Sequence, residues 1–342
     1  MSVPVEMGIV ATGTAFGEQL GVAETAARYV SDPTFVLSLG FDTYHRLADG
    51  RTSIELAAEA ARDALDRAEV GIDDVDLIVV GNSDIPEYLG WDSSAAVARA
   101  LGSYGTPTVL ITQACAAWSL AFDHAAGAMA LSPEVGTVLV VMVNVVSEQH
   151  SNRMAFGASV ASDGAAAVVL RRGHPRLRRL ASAHYTNPEF ADLFRLEYGG
   201  SAVPEPPEGE HNLKVDPMAG VYRHFGREPK QFKAFVDEIN GRLADVVDLA
   251  FTRAGRDRGE LARLIFLNDN RQAIREAADA VGLPLERTNA ELARRYGHMG
   301  AADQLVSLRH HLEAGELVPG DLVALAGLAV PGMHWFCTLI EV

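Results

Sequence analysis

Thr108-Val-Leu-Ile-Thr-Gln-Ala-Cys115-Ala-Ala-Trp-Ser-Leu-Ala121 reads as a buried strand, a tight turn, and then a helix of small and apolar residues. This order puts the Cys115 thiol at a helix N-terminus, where unpaired N–H groups and the helix dipole favour negative charge. A thiolate is the reactive form of cysteine, so the placement suits a nucleophile. The second cysteine, Cys337, lies in Trp335-Phe-Cys-Thr-Leu-Ile340, a plain strand pattern in which a thiol packs as a small hydrophobe.

Outward from Cys115 the chain repeats an order of elements. Ser53 to Glu69 carries Ile54, Ala57, Ala58, Ala61, Ala64, Leu65 and Ala68 at helical spacing. The strand Leu77-Ile-Val-Val80 follows, ending in the polar loop Gly81-Asn-Ser-Asp84. After the Cys115 helix come the strand patterns Thr137–Val143 and Asp163–Leu170. In the second half, Phe235 to Ala254 is a helix, Leu264–Leu267 a strand, and Asn268-Asp269-Asn270 its polar loop. Gly297-His298-Met-Gly then opens a helix, followed by the strand patterns Leu322–Ala326 and Gly332–Ile340. The pattern is duplicated although the letters are not. It predicts two α/β halves, residues 1–171 and 172–342, with mostly parallel sheets covered on both faces. Active sites of such sheets lie beyond the carboxyl ends of strands, so Cys115, the Asn268–Asn270 loop and His298 are expected to converge. Residues 186–231 break the rhythm and read either as a surface excursion or as a pocket wall.

The bulk numbers narrow the classes. The chain has 342 residues, 48% of them hydrophobic, and a formal net charge of −16. That is ordinary soluble composition with no basic stripe, which argues against nucleic acid as a partner. Two cysteines make no disulfide framework and fit a reducing cytoplasm. No basic leader and no apolar run of membrane-spanning length is apparent, so no membrane partner is expected. No metal-ligand spacing and no dinucleotide fingerprint stands out, so neither a metal nor a tightly bound cofactor is expected.

Several stretches in order now resemble the β-ketoacyl-acyl carrier protein synthase III family, within the thiolase fold. They are Thr52–Arg62 with Asp76–Val80, Ala114-Cys115-Ala116, Ser162–Leu170, Tyr296-Gly-His-Met-Gly-Ala-Ala302 and Pro331-Gly-Met-His-Trp335. The resemblance implies an α/β thiolase fold whose duplicated halves stack as five αβαβα layers. It implies a homodimer paired through the strand near Thr108–Thr112, and acyl-CoA or acyl carrier protein as donor.

The departures from that family carry the functional reading. Its condensing members bring a histidine in a His-Gln-Ala-Asn loop and an asparagine in the Gly-Asn turn. Here the loop reads Leu267-Asn268-Asp269-Asn270, and the asparagine of the turn is His298. The set looks like Cys115–His298–Asp269, with Asp269 orienting the imidazole as in acyl-transfer triads. Asp303, five residues on from His298, is expected to point elsewhere. Relatives with such changes are acyltransferases of antibiotic biosynthesis, which move an acyl group onto a hydroxyl of a glycoside or polyketide acceptor. A condensing synthase is the alternative. The resemblance also implies an oxyanion hole from the N–H groups of Cys115 and Met333. Asn268, Asn270, His334 and Trp91 are candidate substrate contacts, and Arg153, Arg223 and Arg271 candidate partners for a malonyl carboxylate. Asp163 reads as a turn residue without chemistry, and His310-His311 as solvated surface.

Overall fold

The computed structural model describes residues 5–155, 157 and 159–342. Its eleven strands are β1 (Met7–Phe16), β2 (Glu18–Gly21), β3 (Thr43–Arg46), β4 (Leu77–Asn82), β5 (Thr108–Ile111), β6 (Thr137–Asn144), β7 (Gly164–Arg172), β8 (Arg178–Thr186), β9 (Leu261–Ile265), β10 (Leu322–Ala329) and β11 (His334–Glu341). Nine of them form one sheet in the order β5-β4-β6-β7-β1-β8-β11-β10-β9, and β2 and β3 pair separately. The order is a mirror repeat. β4 and β6 are parallel, as are β9 and β10, while β7 pairs antiparallel with β6 and β1 just as β11 does with β10 and β8. Within the sheet the two repeats join where β1 meets β8, at Gly8↔Arg178 and through Ile9 N–H to Leu177 O at 3.2 Å.

The helices explain the layers. Helix Ser53–Ala68 starts with a capping box between Thr52 and Glu55, which satisfies two otherwise unpaired N–H groups. Its alanines are buried against β1 and β7, and a Cβ on Gly13 would fall 2.2 Å from Ala60 O. Small residues on both surfaces let helix and strand approach closely. Helices Ala117–Leu131 and Asp303–Glu313 lie between the two repeats: the first touches β4, β6 and β11, the second β1, β7 and β9. Trp118, fully buried, meets Phe122 and Phe336 edge-on at 5.4 and 5.7 Å and so joins the middle layer to β11. Helix Pro229–Ala254 covers the far face on β8 and β11. This is the α/β thiolase fold.

The two central helices begin alike. Each is entered through a three-residue 3₁₀ turn, Ala114–Ala116 and Gly300–Ala302. The residues before those turns, Gln113 and Met299, have nearly the same backbone (φ −104°, ψ 40° and φ −108°, ψ 32°).

Some local readings change. β5 is half-buried along its length, not a fully buried strand, because it is the sheet edge. The helix expected from Phe235 starts at Pro229, which suits a first helical turn. His311 is buried, not solvated. Its Nδ1 pairs with Glu316 Oε2 at 2.8 Å, and burial pushes its pKa down to about 4. Within 186–231 only short helical pieces form, Pro188–Phe190, Asn212–Lys214 and Ala219–Phe225, but Phe190, Leu193 and Val221 reach the main core. No helix among the described residues is long and apolar enough to cross a membrane.

Asp163 is more than a turn residue. It is 1% exposed and accepts from Leu47 N at 2.7 Å and Val146 N at 2.9 Å, and from Arg153 Nη2 at 3.2 Å. Arg153, equally buried, also pairs with Glu148, which binds Tyr29 and Arg46. This network fastens the excursion between β1 and β3 to the first repeat. Removing one partner of a buried pair strands the other charge. Arg153→Ala is therefore expected to lower stability by about 3–5 kcal/mol in denaturant unfolding, and Arg153→Met with Asp163→Leu by clearly less than the two single changes combined.

Candidate active site

Cys115 stands at the turn from β5 into helix Ala117–Leu131. The chain reverses through Ala114, whose φ of 44° lies in the left-handed region and is tolerable there for a small side chain. The turn brings Sγ to the helix entrance, 6% exposed. The Cys115 N–H, in the first turn, meets no backbone acceptor among the described residues.

His298 comes from the other repeat. Its backbone is clamped on both sides: His298 N–H donates to Val160 O and Ser162 N–H to His298 O, each at 2.8 Å. Gly297 (φ 67°) and Gly300 (φ 55°) bend the chain on either side, and a Cβ on Gly300 would fall 2.4 Å from Ser83 Cβ. The Ser83 hydroxyl, at the end of β4, accepts from Ala301 N at 2.8 Å. The imidazole thereby reaches across the interface between repeats, with Nε2 3.3 Å from Cys115 Sγ.

The orienting carboxylate is Asp303, not Asp269. Asp303 Oδ2 lies 2.6 Å from His298 Nδ1. The expectation that Asp303 points away treated residues 298–303 as one helix. The helix instead begins at Asp303, after the 3₁₀ turn, and the carboxyl folds back over that turn. There it also accepts from Met299 N at 2.7 Å and Asn268 N at 2.8 Å. Burial opposes a charge on His298, but the Asp303 carboxylate and then Cys115 outweigh it and hold the imidazole well above its usual pKa. Among the described residues Asp269 makes no bond to His298; its Oδ1 accepts from Ser159 Oγ at 3.0 Å and Asn270 N at 2.7 Å.

The remaining candidates separate. Asn268 is fully buried and braces the site: Nδ2 donates to Gly297 O and Oδ1 accepts from Asn289 Nδ2, both at 3.0 Å. Asn289 in turn grips Phe266 N and O, doing for β9 what a neighbouring strand would do. Asn270 caps helix Arg271–Ala280, its Oδ1 accepting from Gln272 N and Ala273 N at 2.9 and 3.0 Å. Both asparagines thus hold backbone groups of the site's own loops. Met333 N–H, expected in the oxyanion hole, donates to Val330 O at 3.1 Å, because Met333 closes a tight turn with φ 48°. His334 Nδ1 lies 2.7 Å from Thr186 Oγ1. Trp91 meets Tyr88 edge-on at 5.5 Å in the loop after β4. Arg153 is committed to Asp163 and Glu148, Arg223 to Glu197, and Arg271 to Glu291. Sequence reasoning missed Ser159 and Asn289, which no motif marks. Asn270 carried a usable signal, an N-cap residue before an amphipathic run.

Residues 111–188 match the family described as 3-oxoacyl-[acyl-carrier-protein] synthase III, and residues 251–342 match its C-terminal counterpart. A β-ketoacyl-[acyl-carrier-protein] synthase III of Acaryochloris marina is 25% identical over 91% of this chain and 89% of its own. The acetoacetyl CoA synthase NphT7 of a Streptomyces species is 26% identical over 98% and 99%. Among solved structures the acyltransferase ChlB3 superposes with a TM-score of 0.85 at 26% identity, covering 98% of both chains. The chain is synthase III-like, and the chemistry of that kind is acyl transfer or condensation.

Because Asp303 holds the imidazolium, its removal has a definite sign. In Asp303→Asn the His298 pKa is expected to fall, so the imidazole loses its proton at lower pH than in the wild type. A ¹³C-labelled histidine NMR titration reads this directly. An unchanged His298 midpoint would contradict the pairing.

Proposed function

We propose that this protein is an acyltransferase that carries an acyl group on Cys115 and delivers it to an acceptor hydroxyl, forming an ester. Acyl-CoA or an acyl carrier protein loads the enzyme: Cys115 sulfur attacks the thioester carbonyl, the donor C–S bond breaks, and the proton of the Cys115–His298 pair goes to the departing thiolate. His298, held by Asp303, then takes the proton of the acceptor hydroxyl. The new C–O bond forms, the C–S bond to Cys115 breaks, and the proton returns to sulfur. The observation that carries this reading is the line Sγ–Nε2, 3.3 Å, and Nδ1–Oδ2, 2.6 Å. One base backed by one carboxylate suits proton removal. Asp303 and then the Cys115 sulfur hold a proton on His298 in the resting enzyme, and giving that proton to the departing donor thiol leaves the imidazole neutral and able to act as base.

The acceptor of this reading is a sugar or other natural-product hydroxyl, as in the antibiotic-pathway acyltransferases whose departures the sequence resembles. The sugar malonyltransferase of cervimycin assembly is one such enzyme. The commitments of Arg153, Arg223 and Arg271 to carboxylates favour a neutral acyl group over malonyl here. For the oxyanion, Cys115 N–H remains a candidate donor, and Met333 N–H would first have to leave Val330 O.

The names of the curated relatives support a second reading, decarboxylative condensation. That reaction needs donors for an enolate oxygen, and the loop that carries the family's histidine has Leu267 and Asn268 instead. The two readings part on product. With acyl-CoA and an alcohol acceptor the wild type is expected to give ester and a Cys115-linked intermediate visible by intact mass. Cys115→Ala should carry no adduct, and His298→Ala should slow discharge on the order of 10²–10⁴-fold. Stoichiometric carbon dioxide and a β-keto product from labelled malonyl-CoA would overturn the ester reading.

The active form of this reading is a homodimer. β5 lies at the sheet edge, and Tyr88, Leu89 and Tyr104, in the loops that flank helix Ser93–Leu101, are 66%, 76% and 84% exposed. An open edge with apolar neighbours suits pairing with a second copy. Light scattering at micromolar concentration should give twice the 36.6 kDa chain mass.

A further inference from the structure

With Asp303 holding His298, the partly buried carboxyl of Asp269 is left without its expected task. It is costly to keep. Burial pushes its pKa up to about 6, against the pull of the Asn270 N–H, the nearby His298 charge and Ser159. All its hydrogen bonds fall on Oδ1, from Ser159 Oγ at 3.0 Å, Asn270 N at 2.7 Å and Asn270 Nδ2 at 3.4 Å. No donor among the described residues reaches Oδ2, although the residue is only partly buried. An oxygen that solvent can reach takes its hydrogen bonds from water until a bound molecule supplies a donor in its place.

The place of Asp269 says which donor. Its loop is locked to the turn that bears His298, through Asn268 Nδ2 to Gly297 O and Asn268 N to Asp303 Oδ2. Ser159 lies next to Val160, which clamps the His298 backbone. The fields of Asp269 and His298 act on one another. The open oxygen therefore belongs to the surroundings of the base. A substrate cation there would be repelled by the imidazolium that forms as the acceptor loses its proton, and an anion by Asp269 itself. A neutral hydroxyl meets neither objection.

We propose that Asp269 is an acceptor-binding residue whose Oδ2 takes a hydrogen bond from a second hydroxyl of the acceptor while His298 deprotonates the first, so that the site selects polyhydroxylated acceptors. This rests on the transfer reading above and names its acceptor class. Ser159 and the Asn270 N–H fix Oδ1, which leaves Oδ2 able to accept from a bound hydroxyl. The proton taken from the reacting hydroxyl goes to His298, and Asp269 only holds its neighbour.

The test uses simple alcohols. The full-length enzyme is loaded in turn with acetyl-, benzoyl- and malonyl-CoA, and free donor is removed. Discharge of the acyl-enzyme by propan-1-ol, propane-1,2-diol and propane-1,3-diol is followed by intact mass. In the wild type at least one diol should discharge it roughly tenfold faster than propan-1-ol, the scale of a hydrogen bond to a charged group. In Asp269→Ala the diol-to-propanol ratio should fall to about one, and in Asp269→Asn, which keeps an acceptor oxygen, it should fall in between. The ratio is internal to each acyl-enzyme, so partial loss of folded protein does not move it. Equal rates for all three alcohols in the wild type, or a diol preference that survives in Asp269→Ala, would overturn the role of Asp269 alone. Failure of Cys115 to load, or discharge by every alcohol no faster than by buffer, would overturn the transfer reading and this proposal with it.

Discussion

The site depends on one buried carboxylate. Asp303 is fully buried, and its two oxygens are shared among His298 Nδ1, Asn268 N and Met299 N. A charge in that position is tolerable only while all its donors are present. The same group that sets the imidazole therefore sets the fold of the turn around it. Gly297 and Gly300 supply the positive φ angles that let residues 298–303 wrap the carboxyl, and Ser83 fills the space beside Gly300 where a Cβ would sit. Asn289 holds Asn268, and Asn268 holds Gly297. A substitution anywhere along this chain is felt as a shift of Nε2 relative to Cys115 sulfur. Displacements on the order of 1 Å at such a pair cost about 10²-fold in rate.

The duplicated architecture explains how a thiol and an imidazole from residues 183 positions apart meet. The mirror repeat sends two helices into one central layer, and both enter through the same 3₁₀ turn with the same preceding backbone. Each repeat thus contributes one helix entrance to a shared place. The first repeat puts a thiol in its turn. The second puts Ala301 at the matching point and carries its function just before the turn, on His298. Symmetry of backbone with asymmetry of side chains gives one reaction centre in place of two.

Much of the fold was legible, and the reason is physical. Alternation of helix period with short buried runs, repeated once, fixes a doubly covered sheet, and Gly and Asn punctuate its turns. The positions of Cys115 and His298 followed from helix-entrance placement, a local property. The partner of His298 did not follow. Choosing between Asp269 and Asp303 needed the exact path from residue 298 to 303, and a count of five along an assumed helix gave the wrong direction. The interruption lay in the sequence as Gly297 and Gly300, but their φ values appear only when Ser83 and Val160 are packed against them. Asn268 and Asn270 misled for a related reason. A polar loop at a strand end is equally the mark of a binding site and of a loop that must satisfy its own backbone, and here both side chains do the latter. Arg153 and Asp163, ten residues apart, read as unrelated until the loop between them closes into a buried pair.

Charge balance separates the two chemistries open to this arrangement. Condensation builds negative charge on an enolate oxygen, which must be met by neutral or positive donors. In this site the imidazole is already committed to a carboxylate through Nδ1, and a second carboxyl, Asp269, lies within range of its field. Two acids around one histidine raise the energy of any further anion that forms there. Proton transfer from a hydroxyl runs the opposite way. The charge it builds is the imidazolium, and each nearby carboxylate lowers its energy. In ester formation the negative charge passes from the acceptor oxygen to the thioester carbonyl oxygen, where an N–H donor has to meet it. An imidazole paired to one carboxylate, with a second carboxyl in range of its field, is thus an arrangement that favours accepting a proton over stabilising an enolate.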